Sequence, residues 1–327
     1  MDQLALLKGP AGKTRQDRRK PSKATPSSKV SRITKAGKKA GKNAVSGDGW
    51  RFYCKSSENM EELDDNSIAL TITSPPYWDA IDYDLHADKG DDIWYRQRAY
   101  DKCGVTYEQW LSHLGVIFKE VHRVTMDGGF CAVVLGTILK NKKHFPAPFD
   151  FTAQMAADGW NFHQDIIWNK VTGGVKRAGS FIQHPRSGYY YPNIMSEYIL
   201  VFKKGEAIRR DIDPALPIDD LFKRDIANNI WHIAPVPPRT IDHPCPYPDE
   251  IVRRLTLLYS QKGDEVLDPF SGSGQTAKVA LRHARKVVGY DIEMDYINLS
   301  IDRLHDRKER PYQLIPRVEK IKAGSWI

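Results

Sequence analysis

The sequence predicts an α/β fold: a single domain on a doubly wound, mostly parallel sheet with helices on both faces. Three observations predict it. From Trp50 onward, short apolar and β-branched runs alternate with segments of helical period, the pattern of parallel strands joined by crossover helices. Late in the chain, an apolar run ending at Asp268 passes through Gly272 and Gly274 into a helical segment, and the next apolar run ends on an acid, Asp291. Early in the chain, the run Ile68 to Thr73 stops abruptly at Ser74-Pro75-Pro76-Tyr77, because proline has no N–H for a sheet ladder. Ligands in such folds lie beyond the carboxyl ends of strands at a topological switch point, so the strands carrying Ser74 and Gly272 are expected near one another.

Composition narrows the class. With 327 residues and 41% apolar content the chain has ample material for a core, and no run of 18 apolar residues is present to span a membrane. Cys54, Cys103, Cys131 and Cys245 lie far apart without a C-x-x-C pair, which predicts no metal site. No apolar leader opens the chain, so a reduced, cytoplasmic protein is expected. The net charge is +8, but residues 1–48 hold thirteen Lys and Arg against three Asp, leaving the remainder slightly acidic. This segment lacks aromatic residues and apolar period, so a disordered basic tail over 1–48 and a folded domain over 49–327 are expected. Such a tail suits sequence-independent attraction to nucleic acid phosphates.

Taken in order, Trp50 to Cys54 reads as a strand, Ser57 to Leu63 as a helix and Ile68 to Thr73 as a fully buried strand. Residues 79–107 form a long polar and aromatic loop over the strand tip. Trp110, Leu111, Leu114, Phe118, Val121 and Val124 recur at helical spacing; Asp127-Gly128-Gly129 then turns the chain into a strand over Phe130 to Leu135. A helix around Phe151 to Asp158 and strands at Asp165 to Trp168 and Tyr198 to Phe202 continue the alternation. The loop between those two strands, 171–193, interleaves Lys176, Arg177, His184 and Arg186 with aromatic residues, a composition suited to phosphates and splayed bases. Residues 206–242 show little regular pattern. Pro248-Asp249-Glu250 then opens a helix whose apolar face is Ile251, Val252, Leu255 and Leu258. A strand from Glu265, the glycine loop, a helix from about Thr276 to Ala284 and a strand Lys286 to Tyr290 complete the pattern.

Two stretches carry chemistry. The Ser74 hydroxyl and a main-chain carbonyl held outward by Pro75 and Pro76 offer two acceptors beside the aromatic faces of Tyr77 and Trp78, which suits a planar heterocycle bearing an exocyclic amine. The unit of strand, Gly-x-Gly, helix, strand and terminal Asp291 suits an adenosine-containing cofactor, with the acid accepting from ribose hydroxyls.

TSPPYW at 73–78, HPCPYPDEIVRRL at 243–255 and VLDPFSGSGQT at 266–276, with HRVTMDGGF at 122–130 and EYILVFKKG at 197–205, resemble the β-group DNA amino-methyltransferases over nearly all of residues 50–305. The resemblance implies a Rossmann-like methyltransferase fold using S-adenosylmethionine, with the tip Ser74, Pro75, Pro76 and Tyr77 handling the target base. It implies that Asp268, Phe270, Gly272, Ser273 and Gly274 line the methionine side of the cofactor, that Asp291 holds its ribose, and that the segment with Pro246 and Tyr247 closes over the methionine end. Two departures stand out: Gln275 where threonine is usual, and Lys55-Ser56 where many members have Gly-Asp. DNA is the implied partner, contacted by loops about 79–107, 171–193 and 206–242 and by Lys176, Arg177, His184 and Arg186. A homodimer and a cognate restriction endonuclease are further partners of the kind this resemblance admits.

Within that family, serine at the first tip position accompanies cytosine more often than adenine, so N4-cytosine methylation is expected, with N6-adenine methylation as the alternative. Pro244-Cys245 superficially fits the nucleophile of C5-cytosine chemistry, but that reaction leaves the Ser-Pro-Pro-Tyr tip without a purpose. An RNA or protein methyltransferase and an idle DNA-binding protein complete the rivals.

Overall fold

A computed structural model describes residues 44–78, 105–140, 143–170, 194–209, 219–236, 241 and 246–304. Among these, nine strands form one sheet. Its centre is parallel: β2 (Trp50–Cys54), β11 (Lys286–Asp291), β10 (Glu265–Asp268), β3 (Ile68–Thr73) and β4 (Thr125–Leu135) run alongside one another. The edges are mixed. β1 (Ala44–Gly47) pairs antiparallel with β2; β8 (Ser196–Lys203) lies antiparallel to both β4 and β7 (Asn161–Asn169), and β9 (Ile230–His232) parallel to β7. Across the sheet the order is β1-β2-β11-β10-β3-β4-β8-β7-β9. A small hairpin, β5 (Ile138–Lys140) and β6 (Lys143–Phe145), follows β4.

β3 and the second half of β4 are buried on both faces, so they read as continuous apolar runs and divide their side chains between two cores. In β4, Cys131, Val133 and Leu135 join the core under α1 (Tyr107–Val124) and α2 (Ala147–Ala157). Ala132 and Val134 face the other way, into the core under α3 (Asp249–Tyr259), α4 (Gln275–Arg282) and α5 (Met294–Leu304). α1 begins where its sequence allows a capping box: Thr106 Oγ1 accepts from the Gln109 amide, while Gln109 Oε1 accepts from that of Thr106. β3 and β10 are neighbours, with Leu70 opposite Val266 and Thr71 opposite Leu267, as the expected switch point requires.

Several local expectations are corrected. Ser57 to Leu63 is a series of turns rather than a helix, because its polar groups are met from outside: Arg123 donates to the Met60 and Leu63 carbonyls, and Glu120 accepts from the Met60 amide at 3.0 Å. Asp127-Gly128-Gly129 lies within β4, at a register shift against β3, and not in a turn before it. The second helix begins earlier than the apolar pattern indicated, at Ala147, and Ala44–Gly47 belongs to the sheet rather than to a disordered tail. Residues 206–242 contain β9 and a π-helical turn, Phe222–Ile226, where no regular pattern was legible. No described helix is long and apolar enough to cross a membrane.

Candidate active site

The carboxyl ends of β3, β10 and β11 converge. The stiff tip Ser74-Pro75-Pro76-Tyr77 leaves β3, and two contacts fix it: Trp110 Nε1 donates to the Pro76 carbonyl at 2.9 Å, and Tyr77 Oη accepts from the Gly136 amide at 2.7 Å. The Pro76 carbonyl is thereby spent. Neither the half-buried Ser74 hydroxyl nor the carbonyl of Pro75, a buried residue, engages another described residue, so neither acceptor is spent within the described residues. Trp78 differs from expectation: it is 8% exposed, donates to the Val105 carbonyl, and packs edge-on to Tyr107 and Phe145, so it offers no open face.

Beneath the tip runs a polar chain that sequence reading missed. Thr73 Oγ1 donates to Asp268 Oδ1 at 2.7 Å across 195 residues of sequence; Tyr247 Oη donates to Asp268 Oδ2 and also bonds Thr276 Oγ1, which reaches back to the Ile72 carbonyl at 3.1 Å. The last residues of β3 are therefore tied to the glycine loop by side chains from β10, α4 and the segment before α3. Asp268 is 2% exposed, so its carboxylate is enclosed beneath the loop by the groups it holds. Burial raises its carboxyl above the ordinary range, opposed by the hydrogen bonds from Thr73, Thr276, the Phe270 amide and Tyr247, and burial also pushes the Tyr247 hydroxyl well up.

The glycine loop is held from behind. Ser271 N donates to the Tyr290 carbonyl, Ser300 Oγ to that of Gly272, and Arg303 to that of Ser273. Gly274 has φ +70°, and a Cβ there would lie 2.7 Å from Ser300 Cβ, so this glycine is required by the packing of α5 as well as by the turn. Gly272 N donates to Asp291 Oδ2 at 2.8 Å, and Glu293 N donates to Oδ1 of the same carboxylate at 3.0 Å. Burial lifts the Asp291 carboxyl to about 6, the two amides opposing the shift. Phe270 is partly buried against the core under α1. Ile292, directly after Asp291, is 56% exposed. The loop residues Ser271 to Gly274 are themselves buried, with half-buried Phe270 just before them, so what faces outward here is the Asp291 acceptor pair beside an exposed aliphatic chain, which fits a ribose and its flat base. Ile292 was missed although an apolar residue after the terminal acid was legible.

Pro246 is half-buried just ahead of Tyr247, whose hydroxyl bonds Asp268 at the end of β10 and Thr276 in α4, on either side of the glycine loop. Lys176, Arg177, His184 and Arg186 lie outside the described residues, as do residues 79–104, Pro244 and Cys245.

The description DNA methylase belongs to the family model that matches residues 68–302. This chain belongs to that family. It is a DNA amino-methyltransferase of the N4/N6 group, whose methyl donor is S-adenosylmethionine. Among curated relatives, the type II methyltransferase M.XycI of Xanthomonas campestris pv. cyanopsidis is 27% identical over 275 residues, covering 75% of this chain and 84% of the relative. TTHA0409 of Thermus thermophilus is a solved structure 25% identical, with a TM-score of 0.58, covering 77% of this chain and 93% of that one. The cytosine-N4-specific PvuII DNA methyltransferase shares the fold at 18% identity and a TM-score of 0.57, over 80% of this chain and 88% of its own. The methylase family thus accounts for the meeting of β3 and β10.

Proposed function

We propose that this methylase transfers a methyl group to the exocyclic N4 of a cytosine flipped out of DNA. The observation that carries the reading is the pair of acceptors without a partner among the described residues, Ser74 Oγ and the Pro75 carbonyl, on a tip tied through Thr73 and Asp268 to the glycine loop. When bound, S-adenosylmethionine supplies an activated electrophilic methyl, so the protein's task is alignment. The amine donates one N–H to Ser74 and one to Pro75, which draws its lone pair out of ring conjugation and toward the donor side. Tyr77, its hydroxyl pinned to Gly136, gives the ring a fixed stacking surface that offsets an unstacking cost of roughly a few kcal/mol. Serine is compact and accepts while its own proton turns elsewhere; with its prevalence among cytosine enzymes of this family, it favours cytosine over adenine. Nucleoside digestion and mass spectrometry of DNA methylated in vitro tests this: N4-methylcytosine is expected, and N6-methyladenine alone would overturn it.

Asp291 is the ribose acceptor in this reading, which gives a signed pH dependence. Its folded carboxyl titrates at about 6, above the ordinary 3.8. Protonation therefore removes the acceptor as pH falls through about 6, and cofactor affinity is expected to fall by about tenfold per unit below that point. The free protein's stability moves oppositely, since a raised folded carboxyl takes up its proton before the unfolded one does. Calorimetric titrations between pH 5 and 8, roughly spanning the shift, should show this slope in the wild type and a flat, weaker profile in Asp291→Asn.

The basic segment, of which residues 1–43 precede β1, and the loops about 79–107, 171–193 and 206–242 are the proposed DNA contacts, with Lys176, Arg177, His184 and Arg186 on phosphates. Removing residues 1–43 should lower affinity for all DNA and flatten its salt dependence, by about 0.9 in slope for each phosphate no longer neutralised, with sequence preference unchanged. An unchanged slope of log affinity against log salt would show that the segment does not touch the DNA backbone.

A further inference from the structure

EYILVFKKG begins with a charge that the reaction as described leaves unused, Glu197. It stands at the start of β8, opposite Trp168 of β7, and one residue beyond the pairing of Tyr198 with Leu135 at the carboxyl end of β4. Its partner is Lys170, which follows β7 and donates to Glu197 Oε1. Lys170 Nζ also lies 4.8 Å from the centroid of the Trp168 ring. The two side chains are only 13% and 18% exposed. A pair so desolvated is a poor device for stability, since the loss of hydration roughly cancels the attraction. Its position suggests another use. A Cβ built on Gly136 would lie 3.1 Å from Glu197 Cγ and 3.4 Å from Tyr77 Oη, so the glutamate stem and the tip's phenol flank the same bare glycine.

We propose that Lys170, held by Glu197 and Trp168, reads the ring acceptors next to the amine of the flipped base. This rests on the reading of Ser74 to Tyr77 as the target-base tip. The chemistry is specific. Once both amine N–H groups are given to Ser74 and Pro75, the cytosine edge presents two successive acceptors, N3 and O2; adenine presents N1 and then a C–H. An ammonium is donor-only with three N–H groups, so Lys170 serves Glu197 and the cytosine edge together, while an adenine leaves one donor unmatched. Glu197 keeps the cation's charge shared, so it does not drain the amine through a protonated ring.

The test is single-turnover methyl transfer to an oligonucleotide with the mapped target as cytosine or as 3-deazacytosine, which replaces N3 by C–H. If the product is methyladenine, 1-deazaadenine takes its place. In the wild type the analogue should slow transfer by about 10–100-fold. Lys170→Met should slow transfer to the natural base by a similar factor without changing cofactor affinity, and should lose nothing more on the analogue; Lys170→Arg should recover part of the rate. A wild type indifferent to the analogue overturns the inference even if Lys170→Met does not fold. Equal analogue penalties in wild type and Lys170→Met also overturn it. Ser74→Ala and Tyr77→Ala run alongside: if they leave the rate intact, the tip reading itself has failed, whereas their collapse with an indifferent Lys170→Met condemns only the role of Lys170.

Discussion

Replacing Ser74 with alanine is expected to slow methyl transfer by about 10²–10³-fold while S-adenosylmethionine binds as before, the cost typical of losing one preorganised hydrogen bond at a reacting centre. The division follows from the geometry. Ser74 Oγ is half-buried and engages no other described residue, so its removal disturbs no internal contact. The cofactor loop is held by other groups: the Tyr290 carbonyl, Ser300, Arg303 and Asp291. Rapid-quench turnover and equilibrium cofactor binding on the same preparation check it. A parallel fall in both would mean that Ser74 shapes the cofactor site instead of presenting the amine.

Asp268→Ala should have the opposite signature, losing both cofactor binding and stability. It strands the Thr73 hydroxyl and the Phe270 amide in a dry interior, at about 1–3 kcal/mol for each orphaned group, and it uncouples β3 from the loop. Because burial already disfavours the charged carboxyl, Asp268→Asn keeps the shape and the one oxygen that serves Thr73 and Phe270, giving up only the acceptor that faces Tyr247, and should be much the milder change. Denaturant midpoints and cofactor titrations of the two variants distinguish the cases. Wild-type stability with loss of turnover alone in Asp268→Ala would show that the chain of hydrogen bonds does not brace the site.

The parts of this architecture that could be read from the sequence are those written locally. The Ile68 to Thr73 run is apolar throughout because it is buried on both faces, and prolines mark its end. The strand, glycine loop, helix, strand and Asp291 lie within one short stretch. What could not be read depends on partners distant in the chain. Nothing near Thr73 announces Asp268, nor does anything near Met60 announce that Arg123 and Glu120 will replace its helical hydrogen bonds. Ala44–Gly47 is a run of small residues with one valine, too short for a periodic signal, and its partner is the edge of β2. Trp78 looked like a stacking face beside Tyr77; Phe145, from a hairpin too short for a periodic signal, buries it.

In the proposed reaction the tip presents an exocyclic amine between Ser74 and Pro75 to a methyl donor cradled on the neighbouring strand. The most direct measurement is a ternary crystal structure with DNA bearing the mapped target site and a non-reactive S-adenosylmethionine analogue. The expected complex has a flipped cytosine stacked on Tyr77, its N4 within about 3.2 Å of both Ser74 Oγ and the Pro75 carbonyl, and the ribose hydroxyls of the analogue on Asp291. A target base whose amine is held by other residues, or that enters without touching Tyr77, would contradict it.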